Sequence, residues 1–363
     1  MAVCVTLGKL QVARVEKQLR AGSLRATFSV DMTMTGTVSP EDVLQQSLDS
    51  HTFTDNSIVP YAISGDTWQN GIALWTPERP ALYDVSLIIT DSSGATVDEV
   101  KTYTGMRKVS TEGGVFRLNN KPFFQRLILD QGYWPSSGLT PPNGQALRTD
   151  IEAMKAIGIN GARKHQKVED PRYLFWADRL GFLVWGEMAN AYQFSQAYVD
   201  AFREEWTAAV RRDINHPCIV AWTPVNESWA HPAIATRPEQ ASFLRAMYHL
   251  TKSMDPSRLV IDNDGWEHVE TDLMTVHDYA DPLNLAVTCS TEAALLTRKA
   301  SKDVVIAPAR FAGQPIILSE FGGIAYDPDR LKQYGRAGGS EDWGYHTAND
   351  EGKFLQSLKC LVE

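Results

Sequence analysis

From Pro122 onward the chain alternates short apolar runs with segments of helical spacing, and each apolar run ends in a charged, polar or aromatic residue. PFFQRLIL precedes ALRTDIEAMKAIG, INGARKH precedes PRYLFWADRLG, FLVWGE precedes the helical stretch Gln196–Asp213, and CIVAW precedes ASFLRAMYHLTKSM; RLVIDNDG, MTVHDY and PIILSE follow. Strands that are apolar throughout, rather than every second residue, are covered on both faces. Such a strand–helix repeat restricts the fold to a parallel sheet wrapped by helices. The punctuation agrees: Pro171 suits a first helical turn, and Gly158 and Gly181 suit helix ends. Seven strands are expected, near Leu127, Ala162, Val184, Val220, Ile261, Val276 and Leu318, and a last helix over about Asp350–Leu361.

The residues that end these strands decide between two architectures. They are Asp130; Arg163 and His165; Trp185 and Glu187; Asn226 and Glu227; Asp262; His277 and Tyr279; and Glu320. Polar groups gathered after the strands are the pattern of an α/β barrel of the TIM type, whose chemistry sits on the loops at the strands' carboxyl ends. A doubly wound open sheet would carry a glycine-rich phosphate loop after its first strand, and none is present. The expectation is a barrel over residues 106–363 that lacks its eighth strand.

Before residue 105 the texture differs. Residues 26–105 are rich in Ser, Thr, Asp and Val, and LRATFSVDMTM, DVSLIITD and TVDEVKTYTG read as strands with a turn at Ser92–Gly94. An immunoglobulin-like β-sandwich is expected there. Residues 1–25 fit no such pattern and are left unassigned.

Two of the strand-end residues suggest chemistry. IVAWTPVNESW and PIILSEFGG each carry a buried run into a glutamate, Glu227 and Glu320, 93 residues apart. Glycosidic cleavage needs two carboxyl groups in one cleft, one to donate a proton and one to attack the anomeric carbon or activate water. Either glutamate alone would be read as a loop-start surface residue; two of them, each after a buried run with aromatic neighbours, favour catalysis. Asn226 would hold a sugar hydroxyl, and Trp185 and Trp229 are the tryptophans near enough to stack on a sugar. The net charge of −9 disfavours nucleic acid and anionic membranes as partners, and no apolar run is long enough to span a membrane. Cys4, Cys218, Cys289 and Cys360 are scattered without zinc-site spacing. The expectation is therefore no metal or cofactor, a carbohydrate substrate, a reducing compartment such as the cytoplasm, and room for a homo-oligomer.

WTPVNE and ILSEFGG resemble the acid/base and nucleophile signatures of glycoside hydrolase family 2, the group of β-galactosidases, β-glucuronidases and β-mannosidases. LWTPERPALYDVSLIIT and GMRKV resemble the end of that family's immunoglobulin-like domain. FRLNNKPFFQR, DIEAMKAIGINGARKH and RRDINHPCIVAW resemble successive parts of its barrel. The resemblance covers roughly Gly71 to the end of the chain. It implies a retaining exo-β-glycosidase with Glu227 as acid/base and Glu320 as nucleophile, a β-galactoside being the favoured substrate. It implies further that Tyr279 donates a hydrogen bond to the nucleophile, and it favours Arg163 doing so over a purely structural ion pair. Glu187 is expected to bind a sugar hydroxyl, His277 to bind sugar or to pack, and His165 to bind sugar or to cap its loop.

The departures are as informative. No room is expected for the family's jelly-roll sugar-binding domain before the sandwich, the eighth strand with its tryptophan is expected to be missing, and the second-strand loop reads RKHQKVEDPRY. No asparagine–x–lysine pair of the glucuronidase kind is found. The sequence thus reads as a member of the family cut at both ends. The second reading of the same residues is a catalytically inactive fragment, or a weak carbohydrate-binding remnant, of such an enzyme.

Overall fold

The computed structural model describes residues 5–6, 9–10, 33–35, 73–90, 95–329, 332 and 345–362. The chain divides into two compact units. One comprises Met1–Ala189, Asp200–Trp222 and His249–Val260; the other comprises Asn190–Val199, Thr223–Tyr248 and Ile261–Glu363.

In the first unit, Thr33–Thr35, Leu82–Thr90 and Thr96–Thr104 form an antiparallel sheet in that order. It falls in the region expected to be a sandwich, most of which lies outside the described residues. Pro77 and Pro80 precede the strand at Leu82, as residues without a free N–H should. The buried Trp75 donates its indole N–H to the Asp178 carbonyl (2.8 Å), and the Tyr103 hydroxyl donates to the Asp178 carboxylate (2.8 Å). These bonds tie the antiparallel sheet to the helix Pro171–Leu180.

The same unit holds a five-stranded parallel sheet. Its order is Leu259–Val260, Ile219–Thr223, Leu183–Glu187, Gly161–Lys164, Leu127–Asp130. Ala162 faces Ile128 on one side and Val184 on the other, and Ala162, Leu183, Val220 and Ala221 are fully buried. The helices obey local chemistry. Asn143 accepts from the Ala146 N–H to open Gly144–Ala156, and Gly158 follows its end at φ 88°. Asp170 accepts from the Arg172 N–H and Pro171 fills the first turn of the next helix, which Gly181 ends at φ 70°.

In the second unit, Val225–Asn226 pairs in parallel with Asn263–Asp264, Met274–His277 with Ile316–Glu320, and Ile324–Ala325 with His346–Thr347. Met274 and Val276 pack on Val304, Leu296, Phe311, Ile316 and Leu318. The last helix is Glu351–Val362. Strands therefore form at all seven expected places. Among the described residues, however, the ladders make one five-stranded sheet and separate parallel pairs, not a continuous ring. The expected fifth strand is interrupted: Leu259–Val260 and Asn263–Asp264 are separate pieces. Between them the Asp262 side chain accepts from the backbone N–H groups of Val269 and Glu270 and contacts His268 Nδ1 at 2.7 Å. A carboxylate used to cap the following loop pulls its own backbone out of the ladder.

Candidate active site

Four of the residues singled out in the sequence lie in the first unit. Arg163 Nη1 donates to Glu187 Oε2 at 2.6 Å, and the Gln166 N–H donates to Glu187 Oε1 at 2.7 Å. His165 Nδ1 lies 3.2 Å from the same Oε1. Glu187 is buried with both oxygens engaged, so it organises the ends of its strands; the expectation of a hydroxyl-binding carboxylate is not met by this geometry. Trp185 is only 1% exposed and donates its indole N–H to Gln125 Oε1 (2.9 Å). It is a core residue, and its expected place as a stacking surface is corrected accordingly.

Asn226, Glu227, Trp229, His277, Tyr279 and Glu320 lie in the second unit, with Trp229 exposed. Asn226 is the last ladder residue of its strand, buried, with its N–H on Asn190 Oδ1 (2.9 Å). Immediately afterwards Glu227, Ser228 and Ala230 take φ values of 50°, 60° and 66°. The left-handed region costs a non-glycine residue roughly 1 kcal/mol or more, so the turn persists because its partners over-determine it. The Glu227 N–H donates to the Asp264 carbonyl (2.9 Å), the Ser228 N–H to Asn263 Oδ1 (2.8 Å), and the Trp229 N–H to the Asn226 carbonyl (3.0 Å). This turn fixes where the Glu227 side chain starts.

Glu320 ends the strand Ile316–Glu320, and a register shift beside Val276 places it opposite His277. Its carbonyl accepts from the Asp278 N–H (3.0 Å), and its Oε2 accepts a short hydrogen bond from the Tyr279 hydroxyl. Burial and then the Glu320 charge raise the Tyr279 pKa beyond the ordinary phenol range, so Tyr279 remains a donor at any working pH. Its ring stacks on Tyr345 with centroids 3.7 Å apart, and Gly323, at φ 65°, comes close to both rings.

His277 joins the two carboxylates. Its Nδ1 lies 2.8 Å from Glu227 Oε1 and 3.4 Å from Glu320 Oε2, while Nε2 lies 3.1 Å from Asp264 Oδ2. Burial alone would push the imidazole toward neutrality, but Asp264, Glu320 and Glu227 outweigh it and raise its pKa to about 9. Stability linked to this proton is thus fully present below the free-histidine value near 6.5 and is lost as pH rises through about 9. Glu227, His277 and Glu320 each present one ligand-type atom, all within 4.8 Å of one another. Two carboxylates and an imidazole can also hold a divalent cation. Here both ring nitrogens face carboxylate oxygens at hydrogen-bond distance, which suits shared protons better than a metal. Asp278 is committed elsewhere, to the Ala280 N–H, the Thr288 hydroxyl and the Lys299 ammonium.

Asp264, Ser319 and Tyr345 escaped the sequence reading. Asp264 had a signal, an acidic pair in IDNDGW after an apolar run; Tyr345 had none. Gly265 follows Asp264 for a physical reason. Its φ is 103°, and a Cβ there would lie 2.6 Å from His277 Nδ1. Gly265→Ala should therefore displace the imidazole, lowering stability by about 1–3 kcal/mol. Thermal unfolding of the variant checks the number.

Comparison with known proteins follows the same outline. The profile described as "Glycosyl hydrolases family 2, TIM barrel domain" matches residues 109–337, and that described as "Glycosyl hydrolases family 2" matches residues 10–107. A β-galactosidase of Vibrio cholerae is 30% identical over 211 residues, which is 55% of this chain and 20% of that protein. A β-galactosidase of Yersinia enterocolitica is 27% identical over 299 residues, 77% of this chain and 27% of that one. The chain thus spans about a fifth to a quarter of the length of these curated relatives. Among solved structures, the β-D-glucuronidase of Dictyoglomus thermophilum aligns with TM-score 0.61 at 17% identity, over 99% of this chain and 59% of that one. A galacturonate-bound β-galacturonidase of Eisenbergiella tayi aligns with TM-score 0.60 at 19% identity, over 94% and 57%. At those identities the likeness concerns the fold.

Proposed function

The chain belongs to glycosyl hydrolase family 2, and from that premise we propose that it hydrolyses a terminal β-linked sugar by a retaining, two-step displacement. Glu320 attacks the anomeric carbon as Glu227 protonates the departing oxygen. Glu227 then takes a proton from water, whose oxygen displaces Glu320 from the sugar. The observation that carries this reading is the convergence of one oxygen from each glutamate, within 4.8 Å, on the same imidazole nitrogen. Glutamate oxygens within 4.8 Å of one another favour direct attack over an intervening water, which is the condition for retention. Tyr279 would steer the Glu320 oxygen, and Asn226 would meet a sugar hydroxyl beside the acid.

A β-galactoside is the proposed substrate, in keeping with the β-galactosidases among the sequence relatives. The test is release of nitrophenol from aryl β-galactoside, β-glucuronide, β-galacturonide, β-mannoside and β-glucoside. Turnover should be highest for the galactoside, with the β-anomer of the sugar as the first product by NMR. Preference for a uronide would replace the substrate while keeping the mechanism. A folded protein that turns over none of them would support the reading of an inactive remnant.

A further inference from the structure

The second unit contains a buried carboxylate that the reaction above does not use. Asp264 is fully buried, on the two-residue strand Asn263–Asp264. It touches both halves of the site. Its carbonyl accepts from the Glu227 N–H, its Oδ1 accepts from the Ser319 hydroxyl at 2.9 Å, one residue before Glu320, and its Oδ2 faces His277 Nε2 at 3.1 Å. With Nε2 set against Asp264 Oδ2, Nδ1 is the nitrogen turned toward Glu227. Trp266 closes the side of the ring at 5.5 Å in an edge-to-face arrangement, and Gly265 leaves no space on its other approach. The imidazole has little freedom to turn.

Resting on the acid/base and nucleophile reading above, we propose that Asp264 is a positioning residue that acts through His277. It holds the ring so that His277 and Glu227 share the proton that Glu227 delivers to the leaving oxygen. Two arrangements contain the same protons: imidazolium with ionised Glu227, and neutral imidazole accepting from protonated Glu227. The second donates. As the C–O bond breaks and the bond from Glu320 to carbon forms, the proton of Glu227 passes to the leaving oxygen, leaving imidazole and carboxylate. In the second half, water gives a proton to Glu227, its oxygen bonds to the anomeric carbon and the bond to Glu320 breaks, which restores the shared proton.

The groups facing the ring from each packed element are Glu227 from its turn, Asp264 from Asn263–Asp264 and Glu320 from Ile316–Glu320. Thr275 and Tyr279 flank it in its own segment, and Tyr345 approaches the two glutamates. Three carboxylates around one imidazole favour retention of the proton. Without Asp264 the pair would release it at lower pH, and Glu227 would then lack a proton to give. The alkaline limb of kcat/KM therefore reports the device.

The experiment compares kcat/KM against pH for the full chain, Asp264→Asn and His277→Gln, with a nitrophenyl glycoside and with a disaccharide of the same sugar. Both variants should move the alkaline limb at least about one pH unit toward acid. They should also lose roughly tenfold more on the disaccharide, whose leaving group needs the proton. Folded variants with an unmoved limb and equal losses on the two substrates would overturn the proposal. Should Asp264→Asn not fold, ¹⁵N NMR of histidine-labelled wild-type chain decides, with His277→Gln identifying the signal. An Nδ1 signal at pH 8 that is protonated, or shifted by a hydrogen bond from protonated Glu227, supports the proposal, and an Nδ1 that is neither protonated nor hydrogen-bonded at pH 8 overturns it. Glu227→Gln and Glu320→Gln separate the two levels. If either keeps wild-type turnover the underlying reading fails, whereas if both are inactive and the limb is unmoved only Asp264's role fails.

Discussion

Glu320→Gln should abolish turnover while leaving the fold intact, the largest single effect expected of any substitution in the chain. The amide keeps the size of the carboxylate and can still accept from the Tyr279 hydroxyl, and the strand is held independently by the Asp278 N–H on the Glu320 carbonyl. What it loses is the anionic oxygen that, in the proposed mechanism, would form the glycosyl ester. A loss of about 10⁴-fold or more in kcat is expected, corresponding to roughly 5.5 kcal/mol of barrier. The thermal midpoint should change by only a few degrees, because one of the three carboxylates around His277 is neutralised. Steady-state kinetics, together with mass spectrometry of wild-type protein after incubation with a slow 2-fluoro glycoside, checks the assignment. The covalent adduct should sit on the peptide containing Glu320. An adduct elsewhere, or a variant retaining more than a hundredth of the activity, would remove Glu320 from the nucleophile's place.

Glu227 and Glu320 stood out as candidates because each follows an apolar run, although only Ile219–Thr223 is buried throughout, while Ile316–Ser319 is half-buried ahead of the buried Glu320. Helix ends were legible for local reasons too, as Gly158, Pro171 and Gly181 act within a few residues of themselves, whereas the Asn143 cap was not read. The role of Asp264 depends instead on a ladder that sets it opposite Asn226, 38 residues earlier in the chain, and no local pattern carries that register. Trp185 misled for a related reason. In Leu183–Glu187 nearly every residue is buried, so alternation gives no clue to which side chains face a cleft. The parallel register sets Arg163 opposite Trp185, and the same strand ends feed Arg163 and Glu187 into one ion pair. The break at Ile261–Asp262 was equally hidden: an aspartate in a strand-like run gives no warning that it will cap a loop seven residues on.

The second large effect is on stability, in the first unit. Asp255 follows the helix Pro238–Met254 and is completely buried. Its Oδ2 accepts from Arg258 Nη1 (2.6 Å) and from the Trp222 indole N–H (2.8 Å), and its Oδ1 from the Ser257 hydroxyl (2.7 Å). Arg258 in turn donates to the carbonyls of Ile219 (2.8 Å) and His216 (2.6 Å). Arg107, also buried, donates to those of Pro217 (3.0 Å) and Ile219 (2.5 Å). Two guanidinium groups thus hold the entry to the strand Ile219–Thr223, and Asp255 is the carboxylate paired with Arg258. Burial would push its carboxyl up, but Arg258, Ser257 and Trp222 hold it well below the usual carboxylate range. Its contribution is present above the unfolded value near 4 and is lost as pH falls well below that. Asp255→Ala leaves the buried Arg258 guanidinium without its carboxylate partner and should destabilise by about 3–5 kcal/mol, lowering the unfolding midpoint by on the order of ten degrees. Urea and thermal unfolding at pH 7 measure it. Asp255→Ala combined with Arg258→Met should lose less than the sum of the single changes, because the second substitution removes the charge that the first strands. Strict additivity would mean that the pair is not coupled, and that the strand entry is held by the arginine–carbonyl bonds alone.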